Sequence, residues 1–369
     1  MKFDRLKEVE QKIPKILEDC EIPGVSIGIV RGNEMIYAKG FGLAKINSDK
    51  RVDEKSLYSI GSATKPFTAC GVAMLADRGK IKLNSPIVDY YPSLEFMNEK
   101  LTQKVTFIDL LTHRTGLPRH DWYWAFSTRS RQELVDGLKY LVPWEKFRSK
   151  FQYNNIMYML AGYLIEIIEK KEWEQFIKDE FFLPLEMKSS GFHELHKGRK
   201  NRAFAHNKKD DELKVIKEFG FGAIAPAGSI VSNVEDMCKW ISLHLSKGRL
   251  IDHQLYSKSV YKKIFKPYIE SNKNFSEYFK EFDQEYYGLG WRIHNFKGEK
   301  LCWHGGGTEG FRSFTGFLPY HNYGIVVLAN SVRHTIRQDG ACIIACYLLD
   351  LLTSKGMTNW LKKYSDLKK

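Results

Sequence analysis

The sequence predicts an α+β fold, with an antiparallel sheet drawn from both ends of the chain, flanked by helices, and a mostly helical lobe supplied by the middle. Three observations predict it. Near the start, GVSIGIVRGNEMIYAKGFG holds two β-type runs broken by Gly32-Asn33 in the manner of a hairpin. Near the end, YYGLGWRIHNF, KLCWHGGG, RSFTGFLPY and NYGIVVLAN add short strand-like runs. Between them, PFTACGVAMLADRG, TFIDLLTH, NIMYMLAGYLIEIIEK and NVEDMCKWISLHL carry apolar residues at the three- and four-residue spacing of helices with a buried face.

The outer helices follow from the same pattern. MKFDRLKEVEQKIPKILEDC is amphipathic, and QDGACIIACYLLDLLTS reads as a closing helix. No Pro/Gly/Ser-rich linker and no repeat divides the 369 residues, so the two lobes are expected to share one interface, a common place for an active site.

Composition removes several classes of function. Hydrophobic residues at 43% and charged residues at 27% are ordinary for a folded chain. No apolar run approaches the roughly 20 residues that span a bilayer, and the N-terminus lacks the uninterrupted apolar core of a signal peptide, so a cytoplasmic protein without a membrane span is expected. The net charge of +13 is dispersed among acids, as in HKGRKNRAFAHNKKDDELK, which argues against a nucleic-acid footprint. Cys20, Cys70, Cys238, Cys302, Cys342 and Cys346 are scattered without zinc-ligand spacing and read as buried thiols. No metal and no cofactor is expected.

The sharpest local signal is Ser62-Ala63-Thr64-Lys65 ahead of the helical run that starts at Pro66. On a helix the amine of Lys65 lies about one turn from the hydroxyl of Ser62, on the same face. A desolvated lysine can act as base and stabilise an alkoxide, and a helix start places N–H groups where charge develops on an acyl oxygen. Tyr153-Asn154-Asn155 precedes another helical run. There Tyr153 can relay protons, while Asn155 has the plainer reading of a helix cap. After the strand-like KLCW come His304-Gly305-Gly306-Gly307, where glycines let backbone approach a substrate and a Gly307 N–H can pair with that of Ser62 as an oxyanion hole. His304 is placed to hydrogen-bond Tyr153 or a substrate.

Taken together, Ser62-x-x-Lys65, Tyr153-x-Asn155 and His304-x-Gly306 resemble, in order and spacing, the three motifs of the serine β-lactamase and penicillin-binding-protein superfamily, in its class C branch. GVSIGIVRGNEMIYAKGFG, SLYSIGSATKPFTA, LLTHRTGL, PAGSIVSNVEDM, YGLGW and HGGGTEGF extend the likeness over nearly the whole chain. The resemblance implies a β-lactamase/transpeptidase-like fold in one catalytic unit, with an α/β lobe of about residues 1–64 and 291–369, a helical lobe of about 65–290, and the site at their junction. It implies Ser62 as nucleophile, Lys65 and Tyr153 sharing proton transfer, Asn155 orienting Lys65 and substrate, and the backbones of Ser62 and Gly307 holding the oxyanion.

One departure matters. His304 stands where lysine is usual in β-lactamases and transpeptidases of this superfamily, and a largely neutral imidazole attracts a carboxylate less. That resembles the esterase and D-amino-acid peptidase or amidase branches, whose substrates are small molecules or short peptides. The alternative reading keeps the fold but makes the chain a penicillin-binding or ligand-binding protein with little turnover, and nucleic-acid binding stays a distant third. Substrate chirality and oligomeric state are not legible.

Four further features admit more than one reading. Glu309 can attract a substrate ammonium near the cleft mouth or simply be a solvated loop acid. His113 and His120, around LLTHRTGLPRH, read as structural residues rather than metal ligands. Trp122, Tyr123, Trp124 and Phe126 wall an acyl pocket or pack ordinarily. Gly305-x-Gly307-x-x-Gly310 matches the dinucleotide fingerprint literally, but the strand-like FRSFTGFLPY that follows is not the helix such a site needs.

Overall fold

The computed structural model describes residues 3–125, 127–193, 198–210, 212–250, 253–271, 279–331 and 340–366. Its centre is an eight-stranded, fully antiparallel sheet. In chain order the strands are β1 (Gly24–Arg31), β2 (Glu34–Gly42), β3 (Ile269–Glu270), β4 (Phe282–Tyr287), β5 (Arg292–Phe296), β6 (Glu299–Gly307), β7 (Arg312–Leu318) and β8 (Tyr323–Ala329), and in space they run β2-β1-β8-β7-β6-β5-β4-β3. Both ends of the chain meet where β1 pairs with β8, Val25 opposite Ala329 and Arg31 opposite Tyr323. Two strands, β3 and β4, come from chain that the sequence reading gave to the helical lobe. FDQEYY in β4 is too rich in acids to show a strand's apolar alternation.

Five helices pack around the sheet and the core beside it: α1 (Phe3–Asp19), α2 (Lys65–Asp77), α3 (Asn155–Glu169), α4 (Val234–Leu245) and α5 (Gly340–Thr353). The period-two pattern of β8 sends Ile325, Val327 and Ala329 to one face, against Val9, Ile13 and Ile16 of α1 and Ile344, Leu348 and Leu349 of α5. Val326 and Leu328 face the opposite way, into the core shared with Met237 and Ile241 of α4 and with α2 and α3. Each such buried Leu, Ile or Val contributes roughly 1.5–3 kcal/mol of transfer free energy, which fixes the register of the central strands.

Two local structures carry the cleft. Residues 58–64 are gripped from two sides: Ile60 N donates to Ile230 O at 3.0 Å, Ile230 N donates to Thr64 Oγ1 at 3.1 Å, and Ser313 Oγ of β7 donates to Ile60 O at 2.8 Å. On the helical side, the LLTHRTGL stretch lies along residues 144–154. Arg148 N donates to Arg114 O at 2.8 Å and Gln152 N to His113 O at 2.7 Å. The fully buried carboxylate of Asp109 ties the two segments, taking Arg114 Nε at 2.6 Å and Arg148 Nε and Nη2 at 2.8 and 2.7 Å.

Burial pushes the Asp109 carboxyl upward, but hydrogen bonds from Arg148, the charge of Arg114 and the Thr106 hydroxyl outweigh it and hold the group below its ordinary value of 3.8. A depressed carboxylate contributes stability that is present above the unfolded pKa and lost as pH falls through the folded one. Asp109→Ala removes the buried carboxylate that ties the partly exposed guanidinium groups of Arg114 and Arg148, so its unfolding free energy at neutral pH should fall by about 1–3 kcal/mol. Urea titrations should show that deficit shrinking as the pH is taken below about 4. A deficit under about 1 kcal/mol at neutral pH would contradict this account.

Candidate active site

Ser62 sits in a tight turn of 3-10 helix, Gly61–Thr64, that runs directly into α2 at Lys65. Pro66 is accommodated in the first turn of α2, where a missing N–H costs nothing. This geometry puts Lys65 Nζ 3.1 Å from Ser62 Oγ. The amine is fully buried and has two further neighbours, Asn155 Oδ1 and the carbonyl oxygen of Ala227, each at 2.8 Å. It also lies over the rings of Tyr153 and Tyr158, 4.9 and 5.4 Å from their centroids. Burial, and then the positive charge of Arg119, hold the ammonium well below its ordinary value of 10.5, against a smaller opposing pull from Asp121.

Tyr153 reaches the same point from the segment just ahead of α3. Burial raises the pKa of its phenol against a smaller opposing pull from the Ser62 hydroxyl, so the phenol stays protonated at neutral pH. Arg119 lies over its ring at 5.4 Å. The cap of α3 is Asn154, whose Oδ1 accepts from Met157 N at 3.2 Å, and not Asn155. That displacement by one residue leaves the Asn155 side chain free to accept from Lys65.

Of the two partners expected for His304, Tyr153 is not the one its ring holds; its nitrogens meet Tyr287 and Gly305. His304 lies on β6, buried, with Nε2 2.9 Å from Tyr287 Oη and Nδ1 2.6 Å from Gly305 O. A carbonyl oxygen only accepts, so Nδ1 carries the proton and Tyr287 donates to Nε2. Burial, reinforced by Arg292 and Lys65, holds the imidazole well below 6.5 and therefore neutral.

The end of β6 is pressed onto the turn that holds Ser62. Gly61 adopts φ of 54°, and a Cβ added there would stand 2.8 Å from Gly307 N. A Cβ on Gly306 would collide with Ile60 O and lie 2.5 Å from Ser313 Oγ. Only glycines allow this approach, and it carries the backbone of Gly307 to the Ser62 turn, where paired N–H groups can meet an oxyanion. Because Gly305, Gly306 and Gly307 belong to a strand followed by β7, the dinucleotide fingerprint has no helix to complete it.

A cavity of about 280 Å³ adjoins Gly307, walled by Trp124, Ile216, Phe219, Phe221 and Phe311, with exposed Glu309 at its rim. Of the expected aromatic cluster only Trp124 lines this cavity. Trp122 is 76% exposed, Tyr123 donates to Leu134 O at 3.2 Å, and Phe126 lies outside the described residues. Sequence reasoning did not single out Arg119, Asp121, Ala227 or Tyr287: Ala227 acts through its carbonyl, and the part of Tyr287 shows only in its pairing with His304. Among the described residues no cluster of three His, Cys, Asp or Glu side chains is arranged to hold a metal ion, and no helix is long and apolar enough to cross a membrane.

The family model for Beta-lactamase matches residues 9–343. The chain belongs to the Beta-lactamase family. Within it, the chain is similar to Protein flp of Staphylococcus aureus strain MW2, 28% identical over 331 residues that cover 89% of this chain and 63% of flp. It therefore spans less than two thirds of that relative. Unguisins hydrolase ungD' of Aspergillus campestris is 26% identical over 98% of this chain and 69% of its own length. Among solved structures, the octameric penicillin-binding protein homologue from Pyrococcus abyssi superposes with a TM-score of 0.82 at 28% identity, over 95% of this chain and 78% of that one. SurE, at 17% identity and a TM-score of 0.73 over 89% of this chain and 72% of its own, shares the fold. The β-lactamase/transpeptidase-like fold is thus shown by sequence and by architecture.

In this Beta-lactamase-family chain the contact of Gly306 with the Ile60–Ser62 turn is testable. Gly306→Ala must lift the end of β6 away from Ile60 O, so the rate at which a fluorophosphonate labels Ser62 should drop on the order of 10²-fold. Circular dichroism should show the fold retained. Unchanged labelling would mean that β6 takes no part at the serine.

Proposed function

We propose that the chain is a serine hydrolase that forms an acyl-enzyme at Ser62 on a small ester, amide or short-peptide substrate. The observation that carries this reading is the setting of Lys65. Two of its three neighbours, Asn155 Oδ1 and Ala227 O, can only accept. They take the two N–H bonds of a neutral amine and leave its lone pair facing the Ser62 hydroxyl at 3.1 Å. Burial favours that neutral form.

The reaction follows from these positions. Lys65 takes the Ser62 proton as Oγ attacks the carbonyl carbon, and the N–H groups of Ser62 and Gly307 receive the oxyanion. Tyr153, kept protonated by burial and lying beside Lys65, passes its proton to the leaving group and recovers one from Lys65. Lys65 and Tyr153 thus share the proton work as a coupled pair. Asn155 orients the amine. A water repeats the cycle on the acyl-enzyme.

The substrate class follows from charge and shape. A neutral, fully engaged His304 offers no cation to a carboxylate, which favours esters and amides over β-lactams. The aromatic cavity beside Gly307 suits an apolar acyl group, with Glu309 at its rim for a substrate ammonium. That one relative is called a hydrolase supports turnover. Likeness to a penicillin-binding protein homologue keeps slow acylation without turnover as the alternative.

Intact-mass spectrometry after mixing the protein with p-nitrophenyl acetate, a fluorophosphonate or a β-lactam, while following p-nitrophenol release, separates these readings. The expected result is a fluorophosphonate adduct and ester turnover that vanish in Ser62→Ala, with little β-lactam adduct. A lasting β-lactam adduct without ester turnover would favour the penicillin-binding alternative. Identical behaviour of wild type and Ser62→Ala would remove the mechanism's centre.

A further inference from the structure

We propose that His113 is the positioning residue for Tyr153, holding the backbone on both sides of the tyrosine and packing against its ring so that the phenol meets Ser62. The inference rests on the hydrolase reading above and assigns to His113 a task that the LLTHRTGL stretch alone did not suggest.

Three contacts carry it. The His113 carbonyl accepts from Gln152 N at 2.7 Å, one residue before the tyrosine. Its ring Nδ1 accepts from Asn154 N at 3.0 Å, one residue after it. Between these two bonds the imidazole lies against the phenol, ring centroids 4.4 Å apart and planes tilted by 35°. His113 adopts φ of 57°, a left-handed conformation uncommon for a residue with a side chain, and with it both its carbonyl and its ring nitrogen address the 152–154 segment. Nothing else in the described structure holds Tyr153 by both neighbours.

The tautomer shows what the imidazole supplies. A backbone N–H only donates, so Nδ1 is the acceptor and the proton of the neutral ring sits on Nε2. That Nε2 is buried and has no hydrogen-bond partner among the described residues. It lies in a box of Phe151, Tyr158 and Tyr287, with centroids 5.4, 5.1 and 5.0 Å away. A phenyl ring would fill this box without stranding an N–H. The feature that only the imidazole brings is the Nδ1 acceptor, and it is spent on the residue that links Tyr153 to the cap of α3. Asn154 in turn starts the helix whose first residue, Asn155, holds Lys65. One side chain therefore sets the places of the phenol and, through α3, of the amide that orients the amine.

The test compares His113→Phe, which keeps a ring but loses the acceptor, with His113→Asn, whose Oδ1 stands where Nδ1 was. His113→Phe should lower kcat for p-nitrophenyl acetate and the rate of fluorophosphonate labelling of Ser62 on the order of 10²-fold, since a displaced proton carrier is costly at that scale. KM should stay within about threefold, because ground-state binding is untouched. His113→Asn should recover most of both rates. Equal losses in the two variants, or an unimpaired His113→Phe, would overturn the proposal. Nitrogen-15 histidine spectra of the wild type give a readout that needs no turnover: His113 should be the Nε2–H tautomer, and an Nδ1–H tautomer overturns the clamp directly. Wild-type protein with the Nε2–H tautomer but with neither ester turnover nor labelling sinks the hydrolase reading first, and the positioning role falls with it.

Discussion

The site depends on a lysine amine that is kept from water. A fully buried, uncompensated ammonium is costly, and among the described residues no carboxylate stands at hydrogen-bond distance from Lys65. It offers instead an amide oxygen, a backbone oxygen and the Ser62 hydroxyl. Such a setting tolerates the neutral amine better than the cation, which is the form that the proposed base needs. The aromatic rings of Tyr153 and Tyr158 complete the enclosure and soften the cost when the amine takes up a proton.

Holding this arrangement needs both the sheet and the helices packed beside it. The sheet supplies a rigid edge, because β6 and β7 press Gly306 and Ser313 against the segment that ends in Ser62. The helical lobe supplies Asn155 and Tyr153 through α3 and through the segment that Asp109 and His113 tie to LLTHRTGL. Ala227 comes from a third piece of chain, so the amine of Lys65 reports on the mutual fit of the parts. The departure at His304 belongs to the same design. With both ring nitrogens engaged, that residue fills and orders the floor of the cleft and adds no charge to it.

Much of this was legible in the sequence, for physical reasons. Ser62 and Lys65 are three residues apart at a helix start, so their proximity is local, and the glycines after His304 announce a close backbone approach. The central strands announce themselves by apolar runs because both their faces are buried. What was not legible depends on distant partners. Asn154 and Asn155 are chemically alike, and only the observed start of α3 shows which one caps it and which is left for Lys65. The carbonyl of Ala227 has no side-chain signature. His113 pairs with residues about 40 positions away, and the strands β3 and β4 lack the alternation that would mark them.

The pH dependence of Ser62 labelling by a fluorophosphonate tests the central claim most directly. If a desolvated Lys65 is the base, the labelling rate rises with pH and reaches its plateau well below the ordinary lysine value of 10.5. A rate that climbs without a plateau to that value, or that does not respond to Lys65→Ala, would contradict the account.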